Sequence, residues 1–407
     1  MEVLHDVCCG LDVHKETVAA CLRVGRTSKV QSFGTTTREL LRLSDWLREA
    51  GCVHVAMEST GVYWKPIFNI LEGEFEVMLV NAKNIKAVPG RKTDVKDSEW
   101  IAQLLAHGLL QPSFVPERDQ RELRELTRHR AKLVQQHTAV VNRIHKVLED
   151  ANIKLSCVAS DIMGTSGRAM LAAIVSGNSD PVSLADMSLR TLRKKIPQLR
   201  EALEGKVTEH HRFMLGELLG QLAYLEGAMV RVTDRIDELM RPFDEKVQLV
   251  NSVTGLGTYL TQSILAEIGV DMSQFPSARH LCSWAKICPG TNESAGKHKS
   301  STTGKGNNWL KSALTQAAWV ASKMKGTYLS ALYHRIARRR GKRRAIVALA
   351  HAILAAIYYI LRDNCQYEDL GADFFDKLST DQVKRHMVRR LESLGFEVTL
   401  QPAASAA

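Results

Sequence analysis

Four acidic residues near the start of the chain have the types and spacing of a site for divalent metal ions. Asp12 follows the apolar stretch VCCGL in the motif GLDVHK, and Glu58 follows VHVAM in the motif AMESTGVYW. Asp94 and Asp97 lie three residues apart in GRKTDVKDSEWIAQLL. An acid at the end of a buried strand costs stability unless it has a role, so acids at two strand ends indicate a functional edge of an α/β sheet.

The spacing of Asp94 and Asp97 places both side chains on one face of a helix. Three apolar residues continue that face: Ile101, Leu104 and Leu105. We therefore predict that the four acids point towards the sheet, where carboxylate oxygens bind magnesium, with manganese as the alternative metal. Each acid alone also has an ordinary interpretation, as a solvated loop residue or a first-turn acid that suits the helix dipole. No His/Cys cluster with zinc spacing lies near these motifs.

Ser294 lies in the polar motif NESAGKHK, and Lys297, Lys299 and Lys305 follow it closely. Cations beside a hydroxyl that attacks a phosphodiester would bind the phosphate and stabilise the transition state. These residues make Ser294 a candidate nucleophile, and we predict that the three lysines contact nucleic acid. The residues alone leave an alternative open, because serines in such segments often bind phosphate, or nothing, without catalysis.

A basic cluster in RIARRRGKRR predicts a second surface that contacts phosphate. The residues predicted to bind nucleic acid here are Arg338, Arg339, Arg340, Lys342, Arg343 and Arg344. The whole chain has 55 Lys plus Arg against 44 Asp plus Glu, a net charge of +11 and a pI of about 9.3. Because each neutralised phosphate releases counterions, this balance favours a nucleic-acid partner. A solubility feature and a membrane-surface patch are the alternatives.

The segment that carries the four acids, residues 1–115, has the alternating pattern of a mixed α/β layer. Strands are predicted over 7–12, 17–23, 29–35, 53–57 and 75–80, with a helix over 38–51 and a helical stretch after Gly61. Three hairpin strands, a crossover helix and further strands make an RNase H-like order. We therefore predict an RNase H-like domain that presents acids where its strands end.

Residues 116–246 are predicted to be almost wholly helical, with two apolar seams at alternating three- and four-residue spacing. The stronger seam comprises Leu215, Leu218, Leu222, Leu225, Met229, Val232, Ile236 and Leu239. The weaker one comprises Leu123, Leu126, Leu133, Val140, Ile144 and Val147, and Arg130 and His137 interrupt it. The seams predict a long antiparallel helical hairpin or a coiled coil between subunits. An ordinary helical bundle fits the spacing as well.

Residues 247–365 form a third predicted unit, mainly α-helical, and residues 366–407 a C-terminal tail. Two predicted helices flank the turn Gly255-Leu256-Gly257 in LVNSVTGLGTYLTQSILAEIG. Such a turn lets backbone amides approach a phosphate, as in helix-hairpin-helix DNA binders, and a tight helix connection is the alternative. The predicted fold class is therefore α/β plus all-α.

The remaining features predict a cytoplasmic protein without a membrane partner. The sequence MEVLHDVCCGLDVHK has no basic segment ahead of an apolar stretch, so it is not a secretory signal. The longest apolar stretch, residues 345–361, is shorter than the roughly 20 residues of a membrane span and contains His351, which favours a buried helix. The eight cysteines lack paired spacing, so we expect reduced core residues.

As a set, the motifs resemble the DEDD-type transposases of the insertion sequence 110 family, which are bacterial recombinases guided by a bridge RNA. GLDVHK, AMESTGVYW and GRKTDVKDSEWIAQLL are similar to the three acidic motifs of that family. GLGTYLTQSILAEIG, CPGTNESAGK and TGKGNNWLKSAL are similar to its C-terminal domain. By position, Asp12, Glu58, Asp94 and Asp97 correspond to the catalytic metal-binding quartet and Ser294 to the nucleophile. The family usually has Ser-Gly-Gly where this chain has Ser294-Ala295-Gly296.

The resemblance implies a RuvC-like N-terminal domain, a coiled-coil middle and a C-terminal transposase domain. It implies a homo-oligomer, from dimer to tetramer, in which acids of one subunit and the serine of another form a composite site. An element-encoded guide RNA, the bridge RNA, would pair with donor and target DNA. Ser294 would then form a phosphoserine link to DNA, with magnesium stabilising the phosphoryl charge.

Three other functions fit parts of the sequence. A Holliday-junction-type nuclease would use the four acids and water and would need no serine. A 3′–5′ exonuclease would also use four acids, but its expected tyrosine or histidine motif has no clear match here. A non-enzymatic nucleic-acid-binding protein is favoured only by the charge and the helical seams. The C-terminal motifs argue against both nucleases, and the acids argue against the third function.

Overall fold

The computed structural model describes residues 3–59, 61–81, 97–288, 292–294, 297–300, 303–304, 306–378 and 380–401. The chain divides into two compact units, Met1–Glu117 and Arg118–Ala407. The first contains a mixed sheet with helices, and the described part of the second is mostly helical. The coarse prediction of an α/β segment followed by a helical one is therefore confirmed.

A five-stranded sheet forms the centre of the first unit. Its strands are β1 Val7–Val13, β2 Thr17–Val24, β3 Thr27–Gly34, β4 His54–Glu58 and β5 Glu76–Val80. The strand order is β3-β2-β1-β4-β5, and β1 to β3 are antiparallel neighbours. β4 pairs with β1 and β5 with β4 in parallel. The predicted strands are all present, with ends that differ by one or two residues.

Helices cover both faces of this sheet, because side chains alternate between the faces along each strand. The described helices of the unit are α1 Thr37–Glu49, α2 Trp64–Leu71 and α3 Asp97–Ala106. Leu11 and Met57 face α1 and α2 in one hydrophobic cluster. Cys8 and Ala56 face α3 in another. The central strands β1 and β4 therefore separate two apolar layers.

Helix α3 approaches the sheet very closely at Gly10 in β1. A Cβ atom at this position would lie 2.3 Å from the carbonyl oxygen of Ser98 and 2.4 Å from the amide nitrogen of Ala102. Only a residue without a side chain permits this approach, so the α3 backbone rests directly on β1. The first turn of α3, which contains Asp97, is thereby held against the face that Gly10 shares with Asp12.

Two long helices dominate the start of the second unit. Its first helices are α4 Arg118–Asp150, α5 Leu155–Val158, α6 Thr165–Val175, α7 Pro181–Asp186, α8 Ile196–Leu203 and α9 Glu209–Met240. His211 Nε2 lies 2.9 Å from Asp150 Oδ2, and His137 Nε2 lies 3.1 Å from Glu226 Oε1. These two contacts show that α4 and α9 lie side by side and run antiparallel.

The two predicted seams meet within one chain along this helical hairpin. The buried residues they share in one cluster are Leu133, Val140, Ile144, Leu215, Leu218, Leu222 and Leu225. Both interruptions of the weaker seam have polar partners: Arg130 donates to Gln262 Oε1 over 2.8 Å, and His137 contacts Glu226. Of the arrangements that the spacing allowed, the structure has the antiparallel helical hairpin.

The rest of the second unit contains one apolar helix against which several others pack. Its elements are α10 Asp244–Asn251, α11 Thr258–Ile268, α12 Ala278–Trp284, β6 Asn292–Ser294, β7 Lys297–Ser300, α13 Asn308–Lys323, α14 Tyr328–Arg340, α15 Lys342–Asp363, α16 Phe374–Leu378 and α17 Thr380–Glu392. Among the described residues, α15 alone is long and apolar enough to span a membrane. Leu349, Ile353 and Ile357 on it are fully buried, as expected for a core helix.

The segment predicted as a C-terminal tail contains two helices, α16 and α17. Tyr328 anchors the first of them, because its ring lies 5.2 Å from the Phe374 ring and 5.4 Å from the Phe375 ring, measured between centroids. Aromatic contacts of this kind add to the area that each ring buries.

The cysteines are all free, and most are core residues as expected. The buried ones are Cys8, Cys9, Cys21, Cys52 and Cys282. Burial raises the pKa of Cys52 and of Cys282 to about 12, so both thiols stay protonated and unreactive near neutral pH. Cys157 and Cys365 are exposed, which the sequence pattern did not indicate.

The turn between α10 and α11 is a close helix connection at its first glycine. Gly255 has a φ of +92°, and a Cβ there would lie 2.7 Å from the Ala317 carbonyl oxygen and 2.8 Å from the Ala321 amide nitrogen of α13. Both its conformation and its packing therefore require glycine. This supports the tight-connection interpretation for Gly255, and phosphate binding by the turn stays a prediction.

The close approach at Gly10 predicts that Gly10→Ala destabilises the first unit. The new methyl group must push the α3 backbone away from β1, and overpacking of this kind costs about 1–3 kcal/mol. Denaturant unfolding of the variant beside the unmodified protein measures the loss. Gly220→Ala is the matched control, because its site is exposed and open and alanine favours a helix there. An unchanged unfolding midpoint for Gly10→Ala would contradict the packing argument.

Candidate functional site

Two of the predicted acids stand side by side at one edge of the sheet. Leu11 of β1 pairs with Met57 of β4 in parallel register, so the next residues, Asp12 and Glu58, are level at the carboxyl ends of adjacent strands. Both are half-buried. By alternation along the strand, Asp12 projects on the same face as Gly10, which is the face that α3 covers.

Asp97 is the first residue of α3 and is half-buried. It joins Asp12 and Glu58 on one side of the sheet, although in the part of the chain that the structure describes no three acidic, histidine or cysteine residues are close enough to hold a metal ion. Asp94 lies outside the described residues. The structure thus places Asp12 and Glu58 next to each other at the candidate site, and the complete set of four acids stays a prediction.

His14 is a residue of this site that the sequence reasoning missed. Its Nε2 lies 3.2 Å from Asp12 Oδ2, and its side chain is 63% exposed. It is two residues beyond Asp12 in GLDVHK, and side chains two apart in an extended chain share a face, which was the available signal. This contact favours one orientation of the Asp12 carboxylate.

Ser294 lies in a short hairpin of the second unit. β6 and β7 are antiparallel, and Ser294 pairs with Lys297 across a two-residue connection. The sequence analysis did not predict this hairpin. The side chains of Ser294, Lys297 and Lys299 lie outside the described residues, as does Lys305.

A buried carboxylate fixes the backbone that follows this hairpin. Glu267 on α11 is 1% exposed. Arg128 of α4 donates to both of its oxygens, with Nε 2.7 Å from Oε1 and Nη2 2.8 Å from Oε2. Asn307 Nδ2 donates to Oε2 over 2.5 Å, and its own Oδ1 accepts from the Trp309 amide to cap α13. One carboxylate thus joins α4, α11 and the start of α13.

A second arginine completes this network. Arg124 Nε donates to the Ala266 carbonyl over 3.0 Å and lies 3.5 Å from Glu267 Oε2. Burial lowers the pKa of Arg124 to about 10, although the nearby carboxylate opposes that shift. The sequence reasoning missed the network, and the one local signal was an acid inside the apolar stretch SILAEIG. Its partners are far away in the sequence.

The predicted basic cluster is an exposed corner between two helices. Arg338, Arg339 and Arg340 end α14, and Lys342, Arg343 and Arg344 begin α15. All six are exposed. Like charges this close repel one another unless a polyanion neutralises them, so the corner has the electrostatics of a phosphate-binding surface.

Two family models match this chain, and together they span both of its units. Residues 9–153 match the family model described as a DEDD-type IS110 transposase, and residues 247–334 match the one described as "Transposase IS116/IS110/IS902 family". The first match contains the acidic motifs and the second contains the Ser294 hairpin. The chain belongs to the insertion sequence 110 family of transposases. The resemblance seen in the sequence motifs is therefore confirmed.

Individual relatives of this transposase are distant but similar over most of their length. A Pseudomonas aeruginosa protein named "Probable family 20 transposase" is 25% identical over 69% of this chain and 75% of its own. A "Pilin gene-inverting protein" of Moraxella lacunata is 22% identical over 88% of this chain and 97% of its own. A Streptomyces coelicolor protein of insertion element IS110 is 25% identical over 69% of this chain and 73% of its own.

The Glu267 network predicts a large loss of stability in Glu267→Ala. The substitution leaves Arg124 and Arg128 without their carboxylate, and breaking a buried ion pair costs about 3–5 kcal/mol. We expect about 3 kcal/mol, because Arg128 is 36% exposed and regains hydration. Denaturant unfolding measures this loss. Glu238→Ala is the matched control: it breaks an exposed pair with Arg235, so it should cost less than about 1 kcal/mol. Equal losses in the two variants would refute the network's role.

Proposed function

We propose that this transposase cuts and rejoins donor and target DNA through attack of Ser294 on a phosphodiester, with Asp12, Glu58, Asp94 and Asp97 as metal ligands. The observation that carries the proposal is the level placement of Asp12 and Glu58 at adjacent strand ends, beneath the helix that Asp97 begins. Membership of the transposase family supports the DNA substrate and the recombination reaction.

The strand order supports an RNase H-like, RuvC-like domain over residues 1–115. Three antiparallel strands followed by two parallel strands, with helices on both faces, are typical of that fold class. The remaining assignments are a coiled-coil domain over 116–246, a transposase domain with a helix-hairpin-helix-like turn over 247–365, and a C-terminal segment over 366–407. The apolar seam between α4 and α9 supports the second of these.

The chemistry of the described acids fits magnesium or manganese. Carboxylate oxygens are hard ligands, and Asp12 and Glu58 offer them from adjacent positions, while His14 orients Asp12. When bound, the metal would stabilise the charge of the phosphoryl group under attack. Asp97, from the first turn of α3, and Asp94 would complete the ligand set from the side of the helix.

Ser294 would conserve the energy of the phosphodiester bond. Its hydroxyl oxygen forms a bond to phosphorus as a deoxyribose oxygen leaves, and the hydroxyl proton ends on the leaving oxygen. One phosphoester bond forms for each that breaks, so the reverse attack by another strand end can reseal DNA without a further energy source. Lys297, Lys299 and Lys305 would bind the phosphate near this serine.

The acids belong to the first unit and Ser294 to the second. This arrangement suits a composite site in a homo-oligomer, from dimer to tetramer, in which one subunit supplies acids and another the serine. The exposed corner at 338–344 provides a surface for nucleic-acid phosphates. We propose that DNA and an element-encoded bridge RNA share these basic surfaces. Such a protein would act in the cytoplasm, where bacterial DNA is found.

Rejoining distinguishes this proposal from a nuclease. A Holliday-junction-type nuclease would use the acids and water and would leave cut ends. Two of the relatives bear the name "Pilin gene-inverting protein", and inversion of a DNA segment requires that its cut ends be joined again. The relatives therefore favour recombination over hydrolysis for this chain.

The proposal predicts a covalent protein–DNA adduct that needs both sites. The protein would be incubated with magnesium, the RNA of its element end, and donor plus target DNA, and then run on a denaturing gel. We expect Ser294→Ala and Asp12→Asn each to reduce the adduct at least about 1000-fold, because each removes a group needed for the chemical step. Chelation of the metal should have the same effect.

Two control variants and two contrary outcomes complete this test. Ser273→Ala and Asp45→Asn change exposed residues of the same types and should leave the adduct unchanged. Cleaved DNA without an adduct, at a rate that Ser294→Ala does not alter, would reject Ser294 as the nucleophile and leave the metal-dependent nuclease. An adduct that survives Asp12→Asn would reject the assigned acids.

A further inference from the structure

A pocket of about 150 Å³ lies between α4, α11 and α13 in the second unit. Tyr259 and Trp309 line it with aromatic rings. Its polar lining includes Gln135, Ser263, Ser312 and Gln316, together with Arg128 and Glu267 of the buried network described above. The volume suits one small planar ring system better than a long aliphatic chain.

The tyrosine wall of the pocket is held rigidly. The Arg130 guanidinium lies 4.1 Å from the centre of the Tyr259 ring and covers one of its faces. Arg130 is itself buried and donates to Gln262 Oε1 over 2.8 Å and to the Tyr259 carbonyl over 3.1 Å. Tyr259 is nevertheless 37% exposed, so the rest of its surface is open to a ligand. A fixed, exposed aromatic surface binds planar rings with little loss of conformational entropy.

The polar lining offers hydrogen bonds around these aromatic walls. Gln316 Nε2 lies 3.4 Å from Ser312 Oγ, a long contact that a ligand could replace. Amides and hydroxyls can donate or accept, as the edges of nucleobases require. An aliphatic side chain from a protein partner would displace water from the Gln135 and Gln316 amides without offering them hydrogen bonds, which costs free energy. The lining therefore favours a heteroaromatic ring.

Three cations on α4 and one carboxylate on α11 lie in or beside the pocket, and Arg128 and Glu267 line it. Arg124, Arg128 and Lys132 follow one stripe of α4 at four-residue spacing, and Glu267 is the carboxylate that the two arginines share. Lys132 Nζ is exposed, donates to Gln135 Oε1 over 3.1 Å and lies 5.4 Å from the centre of the Trp309 ring. Excess positive charge beside an aromatic pocket suits the phosphate backbone of a nucleic acid.

We infer that this pocket binds an unpaired nucleobase of a single-stranded nucleic acid, with Tyr259 and Trp309 as the stacking surfaces and Gln135 and Gln316 as contacts to the base edge. The inference rests on the proposed function only in that the chain acts on nucleic acid. Trp309 lies in the first turn of the helix that follows the Ser294 segment, so a base held here would anchor its strand to the same part of the chain as the proposed nucleophile. The base can come from RNA or from DNA.

Fluorescence anisotropy with labelled single strands in the absence of magnesium tests the inference without catalysis. Oligouridylate and oligothymidylate would be compared with abasic strands that have the same length and charge. We expect base-containing strands to bind about 5-fold to 100-fold more tightly, because stacking of one base on an aromatic residue has that effect. Trp309→Ala and Tyr259→Ala should each remove most of this preference, and Trp309→Phe should keep part of it.

Matched variants test whether binding needs the aromatic residues of the pocket or any exposed aromatic residue. Trp319→Ala, on the same helix as Trp309, and Tyr224→Ala, on α9, change exposed aromatic residues outside the pocket and should keep the full preference. Thermal melting of every variant checks folding, and Gln316→Ala offers a milder change at an exposed position. A larger preference for the RNA or the DNA strand identifies the source of the base.

The results that would overturn the nucleobase pocket differ from those that would overturn the proposed function. Equal binding of base-containing and abasic strands, or a full preference in folded Trp309→Ala and Tyr259→Ala, overturns the pocket and leaves the proposed reaction intact. Absence of binding to every strand overturns both, because the proposed function requires a nucleic-acid partner.

Discussion

The contact between the backbone of α3 and Gly10 constrains the rest of the first unit. Because β1 has no side chain at this position, the helix comes within van der Waals distance of the strand, and its first turn lies over the strand ends. The same strand turns Leu11 towards the opposite apolar layer and leaves Asp12 at the edge. A larger residue at Gly10 would move the helix and with it Asp97. The candidate site thus depends on glycine at position 10 as well as on the acids.

In the second unit, the buried charge of Glu267 positions helices, as the Gly10 contact does in the first. Glu267 lies among apolar residues, where an isolated carboxylate would be very unfavourable, so it is stable only with the donors of Arg128, Arg124 and Asn307 around it. These donors come from a long helix and from the cap of α13. Their geometry fixes where the Ser294 segment rejoins the helical core. The exposed arginines at 338–344 have no such constraint and remain available to phosphates.

The proposed reaction divides its tasks among features with different physical requirements. Metal binding needs carboxylates held close together against their repulsion, which rigid strand ends provide. A nucleophile that becomes linked to DNA must be able to release a DNA strand and bind it again. The proposed nucleophile, Ser294, lies in the hairpin of β6 and β7. Phosphate contacts position DNA or RNA without reading sequence, whereas an aromatic pocket with amides can distinguish a base from a missing base.

The sequence alone determined the elements and the family, because periodicity and motifs are local properties. Alternation gave the strands, seam spacing gave α4 and α9, and the motifs around Asp12, Glu58 and Ser294 identified the family. The tertiary structure alone decided which residues meet. Gly10 touches Ala102, Glu267 pairs with Arg128, and Tyr259 lines a pocket with Trp309, and no local pattern encodes these pairs. The physical reason is that a side chain's partners depend on how distant segments pack, whereas its own periodicity depends only on its neighbours in the chain.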